Sequence, residues 1–310
     1  MIGVNEKSQN NKKSRERDKF NDITFNKSIL DIINARFSIR AYFDKPLNLD
    51  LKKSIRNILT HPNINSPFRE KVANIRFKLI NFSELDQDIN LKTKTIGGIY
   101  GAHDYIVGAM EQSEYDFEHY GYVFETIILK MTELRLGTCW LGGFFNRKLF
   151  ADKIQKRPNE IIPAITPVGT PDYVRLKAGF GMKTNFDRIR LPVSQLFFEG
   201  DFTNPINFIS KDPYSVLLEM VRISPSASNL QPWRIVKDKK ENIFHFYTLS
   251  TRDRVGLIYN NFRRIDIGIA VCHFDLASKF LNLKGNWEFK QQIIPSIKYL
   301  KYIISWSEKN

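Results

Sequence analysis

Cysteine, histidine and negative charge are all scarce in this chain. Only two cysteines, Cys139 and Cys272, occur in 310 residues. No CxxC pair and no Cys/His spacing of a metal site accompanies them, which argues against a zinc module or a disulfide framework. Both are expected as buried free thiols in a reducing cytoplasm. The five histidines are dispersed, and no Ser-His-Asp or paired-carboxylate arrangement follows from the spacing. A GxGxxG dinucleotide fingerprint is missing: Gly179-Phe180-Gly181 lacks the rest of it. No apolar run reaches the roughly 18 residues of a membrane span. The opening, MIGVNEKSQNNKKSRERDKFND, is polar and basic and has no apolar stretch of a secretory signal. Residues 1–24 read as a disordered basic tail.

Asp and Glu number 33 against 47 Lys and Arg, a formal charge of +14. Such a surplus admits nucleic acid, an anionic membrane surface or an anionic ligand. The basic residues are scattered through a chain also rich in Asn and Ile. No helix-turn-helix, zinc finger or aromatic RNP-like strand accompanies them. Neither nucleic acid nor a membrane is therefore expected as a partner, while part of the charge suits a phosphorylated cofactor. With 42% hydrophobic residues the chain can build a sizeable core, in one large domain or two smaller ones.

Periodicity gives a coarse map. NKSILDIINAR and LNLDLKKSIRNIL carry helical apolar spacing, with Asp50 near the start of the second. NIRFKLINF and HDYIVGAM read as strands. A long helix is expected from about Tyr115 to Leu136, closed by Gly137, followed by a tight glycine-containing loop, TCWLGGFF. Residues 161–171 read as a strand interrupted by prolines, and 172–211 as irregular. Then come a helix over 213–223, the loop SPSASNLQPW, two strands, a second long helix from about Asn261 to Leu283, and a last strand over 299–306. Both long helices end in a Leu-Gly or Leu-Lys-Gly turn followed by Trp, RLGTCW and NLKGNW. This is a weak repeat, because helix ends often carry glycine.

Three short stretches stand out chemically. RFSIR (36–40) sets two arginines around one serine where a helix stops, an arrangement that suits an anion and that a generic core does not need. In SPSASNLQPWR (224–234), Pro225 and Pro232 fix the backbone. Ser226, Ser228 and Asn229 there supply short polar groups for nearby backbone or for a ligand. Standing alone, that stretch is better explained as a plain turn into the strand that starts at Trp233. WLGGFF is a tight loop in which Gly142 and Gly143 leave the backbone without a Cβ.

Together these stretches resemble the nitroreductase family of flavoenzymes, whose pattern runs Arg-x-Ser-x-Arg, Pro-Ser-x-x-Asn-x-Gln-Pro-Trp and Gly-Leu-Gly-Thr-x-Trp-x-Gly-Gly-Phe. The order differs. The family carries the serine-rich motif shortly after the arginine motif, whereas here THPNINSPFRE stands at that place and the serine-rich motif lies in the second half. Family enzymes are two-fold dimers with the flavin at the interface, each subunit supplying part of each site. The resemblance therefore implies an α+β, nitroreductase-like fold with two related halves in one chain. These would be residues 25–200 and 201–310, forming an internal pseudo-dimer around long central helices and antiparallel-rich sheets, able to work as a monomer.

The resemblance also implies FMN as cofactor and NAD(P)H as co-substrate, with a small-molecule acceptor of nitroaromatic or quinone type. No protein nucleophile is implied, because the hydride chemistry belongs to the flavin. Arg36 is expected at the phosphate, with Phe37 beside it and Ser38 at the phosphate or ribityl chain. Arg40 is expected at the pyrimidine edge. Leu141, Gly142 and Gly143 would bring a backbone N–H to flavin N5. Arg188 and Arg190 form a second basic pair near the phosphate. Pro225, Ser226, Ala227 and Asn229 would come from the second half. Reductive dehalogenation, flavin breakdown and a non-catalytic flavin carrier or sensor remain open on the same motifs.

Overall fold

The computed structural model describes residues 23–60, 64–72, 74–82, 98–143, 145–180, 189–207, 212–250, 254–290 and 299–309, without the side chains of 254–259. The expected tail thus lies outside the described residues except for its last two. Of these, Ile23 packs on the core, and Lys130 Nζ donates to the Thr24 carbonyl.

The first half runs α1 (Ile29–Ala35), α2 (Leu49–Thr60), β1 (Ile75–Asn81), β2 (Asp104–Glu111), α3 (Asp116–Glu133), β3 (Gly137–Thr138), α4 (Arg147–Ile154), β4 (Glu160–Ile161) and β5 (Ile165–Gly169). After two short helices, α5 (Tyr173–Lys177) and α6 (Val193–Leu196), comes β6 (Phe197–Glu199). The chain continues through α7 (Pro213–Arg222), β7 (Trp233–Lys237), β8 (Ile243–Leu249), α8 (Arg254–Phe280), β9 (Gly285–Glu288) and β10 (Leu300–Glu308). Among the described residues of 172–211, α5, α6 and β6 are regular, and β6 leaves the first half to pair in parallel with β7.

Two five-stranded sheets result. One has the order β1-β2-β5-β3 with β4 beside β2; the other is β6-β7-β8-β10-β9. Without β4 and β6 the two orders correspond strand for strand, each with a long helix between its second and third strand in the chain. The helix ends match as well. Both long helices close in a Schellman-type turn. In α3, Arg135 N–H bonds Thr132 O and Leu136 N–H bonds Met131 O; beyond α8, Asn282 bonds Lys279 and Leu283 bonds Ser278 in the same pattern. The left-handed residues are Arg135 (φ 62°) and Asn282 (φ 56°). The α3 helix therefore ends on an arginine in place of the expected Gly137, which is already strand.

Sixteen of the 18 residues of α3 are buried. A helix covered all round sits in the middle of a fold, and α3 lies against α8. Gly121 of α3 rests on the backbone of Ile265, and Gly268 of α8 rests on the backbone of Glu118. This contact is reciprocal, as a two-fold-related pair requires. Arg135 and Asn282, Gly121 and Gly268, and Trp140 and Trp287 each differ by 147 positions. One continuous core runs through this seam into both sheets, and a second cluster around Tyr42, Tyr105 and Phe150 fills the far side of the first sheet. Both cysteines are buried free thiols. Among the described residues no helix is long and apolar enough to cross a membrane.

Candidate functional site

The helix α1 stops at Ala35, and Arg36 turns extended (φ −70°, ψ 126°). The segment then pairs beside β3: Ser38 bridges Thr138, and the Ile39 N–H bonds Thr138 O at 2.8 Å. Extended backbone alternates its side chains. Ile39 and Ala41 point inward and are buried, so Arg36, Ser38 and Arg40 share the other face. This is why the two arginines stand four apart around a serine. Arg36 is nonetheless enclosed, its Nε 3.7 Å from Glu125 Oε1 and without a hydrogen-bond partner. The fully buried Glu125 also accepts Trp140 Nε1 at 2.7 Å and meets His273 Nε2 at 3.0 Å. One carboxylate thus ties the arginine motif, the glycine loop and α8 together. Phe37 lies beside Tyr173, the rings tilted by 38° with 6.5 Å between their centres.

The glycine loop follows β3. Leu141 exchanges both backbone hydrogen bonds with Ile165 at 2.9 Å. A Cβ on Gly142 would meet the Phe262 ring edge at 2.6 Å, so only glycine fits against α8 there. At Gly143 a Cβ would meet nothing within 4 Å, so this part of the loop borders open space.

The second-half loop is strained. Ser228, Asn229 and Gln231 all have positive φ, at 49°, 54° and 47°. Non-glycine residues in that region cost of order 1–3 kcal/mol each and concentrate at ligand clamps. Gln231 N–H bonds Ser226 Oγ, and Asn229 N–H bonds the Ser226 carbonyl, while Pro225 leads the turn. Arg190 reaches in from before β6, donating from Nη1 to Asn229 Oδ1 at 3.1 Å and from Nη2 to Ile223 O at 2.9 Å. Asn229 Nδ2 donates to Ile189 O. Two of the expected residues, Arg190 and Asn229, are thus brought together. Arg188 lies outside the described residues.

The loops of the two halves meet on α8. Phe262 faces Gly142, and Asp266, one helical turn on, accepts the Ala227 N–H at 2.9 Å. Residues four apart lie on one helix face, about 5–6 Å between Cβ atoms. Asp266 Oδ2 is buried without a partner, as are Nε and Nη1 of Arg263. Sequence reasoning missed Glu125, Phe262, Arg263 and Asp266. The available signal was a carboxylate set inside an apolar helical run, as in IDIGIAV. An open groove of about 480 Å³, lined by Arg56, Lys78, Lys153 and apolar residues of α2 and β1, includes none of the motif residues. No metal-holding cluster occurs among the described residues.

Burial pushes the Asp266 carboxyl up to about 8, against the opposing pull of the Ala227 N–H and the Arg263 charge. The folded chain holds this proton more tightly than the unfolded one. The stabilisation it gives is full below about pH 4, the ordinary aspartate range, and is lost as pH rises through about 8. Stability to urea is expected to fall across that window, and Asp266→Asn should flatten the slope. Parallel profiles for the two proteins would refute the assignment.

The family described as "Putative TM nitroreductase" matches residues 28–278. A solved structure of similar fold is that of a protein from Thermotoga maritima described as a "putative nitroreductase", 18% identical, covering 94% of this chain and 97% of that one at a TM-score of 0.52. A nitroreductase family protein from Clostridium novyi is 20% identical over 47% of this chain and 87% of that one, at a TM-score of 0.37. A nitroreductase with bound FMN from Desulfitobacterium hafniense is 15% identical over 48% and 91%, at 0.35. No protein with a curated description matches. The family match runs from α1 into α8, through both halves, and the Thermotoga fold extends over nearly the whole length: the chain belongs to this nitroreductase family.

Proposed function

We propose that the chain is an FMN-dependent oxidoreductase that passes electrons from NAD(P)H to a small planar acceptor of nitroaromatic or quinone type. One FMN would lie between the two halves of a single chain, residues 25–200 and 201–310, which stand in for the subunits of a dimer. The observation that carries this reading is the meeting of the Gly142 loop and the Ser226–Asn229 loop on one face of α8. A plain turn into β7 would not need three residues at positive φ.

The residues present fit the cofactor. Arg36 Nε is buried without a hydrogen-bond partner, and Gly143 of the glycine loop borders open space. Bound FMN would supply the hydride chemistry at its N5 atom. Arg36, oriented by Glu125, and Ser38 would hold the phosphate, with Arg188 and Arg190 as further cations and Phe37 alongside. Arg40, on the same strand face, would set a fixed positive charge at the pyrimidine edge, where it favours the anionic reduced ring. The backbone of Leu141, Gly142 and Gly143 would line the N5 side. Pro225, Ser226, Ala227 and Asn229 would close the site from the second half and exclude water. The chain would act as a cytoplasmic monomer without nucleic-acid or membrane partners.

The purified protein is expected to be yellow, to bleach on anaerobic addition of NADPH or NADH, and to recover its colour with a quinone. Bound flavin that stays oxidised with both nucleotides would replace this reading with that of a carrier or sensor.

A further inference from the structure

Arg263 stands on α8 between Phe262, which touches the glycine loop, and Asp266, which holds the Ser226–Asn229 loop. Its Nε and Nη1 are shut off from water, and neither has a hydrogen-bond partner. The next residue shows the contrast. Arg264 donates to both oxygens of Glu118, to Asp116 and to the Glu114 carbonyl. Arg263 has no such partners at those two nitrogens. Asp266 lies near enough for its carboxyl to feel the Arg263 charge, yet its own Oδ2 is unpartnered as well. Buried charged donors left unpaired are costly, more so than neutral ones. A helix surface packed this closely keeps such a group only where something else completes it.

Nε–H and Nη1–H leave a guanidinium in different directions; in the two-pronged contact that Arg264 makes to Glu118 it is Nε and Nη2 that act together. Each of the two unpartnered nitrogens of Arg263 therefore needs an acceptor of its own, and a charged N–H is satisfied best by an anionic oxygen. We infer that Arg263 is an oxyanion contact of the divided site, supplied by the second half and aimed at a phosphate or carboxylate held between the two loops. The inference rests on the flavin reading above and adds to it an arginine outside all three sequence motifs. Two sources carry that chemistry: the phosphate of FMN, or the carboxylate of an aromatic substrate.

The test compares wild type, Arg263→Met and Arg263→Lys by flavin-fluorescence titration with FMN and with riboflavin. It adds absorbance titration of the FMN-loaded proteins with benzoate and, as the uncharged control, benzamide. If the oxyanion is the cofactor's, Arg263→Met weakens FMN by about 10- to 100-fold and leaves riboflavin unchanged, with Arg263→Lys between the two. If it is the substrate's, both flavins bind as in wild type. The spectral response to benzoate is then lost in Arg263→Met while that to benzamide persists. Melting curves that match wild type show that each variant is folded. An Arg263→Met protein indistinguishable from wild type with FMN, riboflavin and benzoate overturns the inference alone. A wild type that binds neither flavin overturns the oxidoreductase reading and this inference with it.

Discussion

Gly268→Leu is expected to destabilise the chain by about 3 kcal/mol or more, seen as a lowered thermal midpoint and a lowered urea midpoint. A Cβ at position 268 would fall on the carbonyl oxygen of Glu118. Backbone is the neighbour least able to yield, because α3 is buried nearly all round. Helix propensity pulls the other way, favouring leucine over glycine by less than about 1 kcal/mol. Overpacking in a dense core commonly costs 1–3 kcal/mol, roughly, and more where helix axes must separate. The clash therefore wins. Gly121→Leu should behave alike, because its Cβ would fall on the Ile265 carbonyl in the same way. Gly143→Ala is the control: it faces open space and should leave the midpoint within about 0.5 kcal/mol. Equal midpoints for Gly268→Leu and wild type would mean that the two long helices do not cross as described.

The seam explains which parts of the molecule could be read from the sequence. Strands such as β1 and β8 carry their own alternation or β-branched runs, so their existence and rough limits were legible. The arginine motif was legible too, because its spacing states its geometry once the backbone is extended. What escaped depends on distant chain. The end of α3 is set by Arg135 in the left-handed region, a conformation that glycine adopts more readily; the nearby Gly137 drew the expectation instead. β6 has only three residues and exists through its pairing with β7, so local composition could not reveal it. Glu125 and Asp266 look like misplaced charges in apolar helices until Arg36, Trp140, His273 and Ala227 are brought to them.

In the sequence the repeat shows as a like order of elements, a short helix, a loop, strands and a long apolar helix, and as Leu-Gly-x-x-Trp and Leu-Lys-Gly-x-Trp, a pattern that many helix ends share. Its force comes from matching caps, matching sheet order and reciprocal glycine contacts. Once the offset is known, the place related to the glycine loop can be inspected. Position 289 corresponds to Gly142, and Tyr115 to Phe262. Here the glycine is replaced by Phe289, whose ring centre lies 4.7 Å from that of Tyr115. Phe68, from the segment that replaces the serine-rich motif, stacks on Tyr115 at 5.9 Å and meets Phe289 at 6.4 Å. Lys71 Nζ sits 5.0 Å above the Phe289 ring. Where one seam position borders open space at Gly143, its counterpart is filled with aromatic side chains.

Opposite responses are therefore expected from the two positions. Phe68 is fully buried, and Phe68→Ala should cost about 3–5 kcal/mol of stability through the cavity it leaves. That variant should still bind one FMN per chain with wild-type affinity. Arg36→Ala should do the reverse: FMN affinity falls by about 2–4 kcal/mol as a charge-assisted contact to a partly buried phosphate is lost. Arg40→Ala and Asn229→Ala should disturb the same single flavin from its two sides, read as a shifted potential or lost cofactor. Flavin content per chain, measured by absorbance after denaturation, decides the matter together with urea titration. Two flavins per chain, or an FMN affinity that drops as far in Phe68→Ala as in Arg36→Ala, would show that the aromatic cluster is part of a binding site and not the filling of a closed one. A flavin shared between the Arg40 of one chain and the Asn229 of another would leave the cofactor in place but remove the single-chain site, because the contacts through α8 would then serve packing alone.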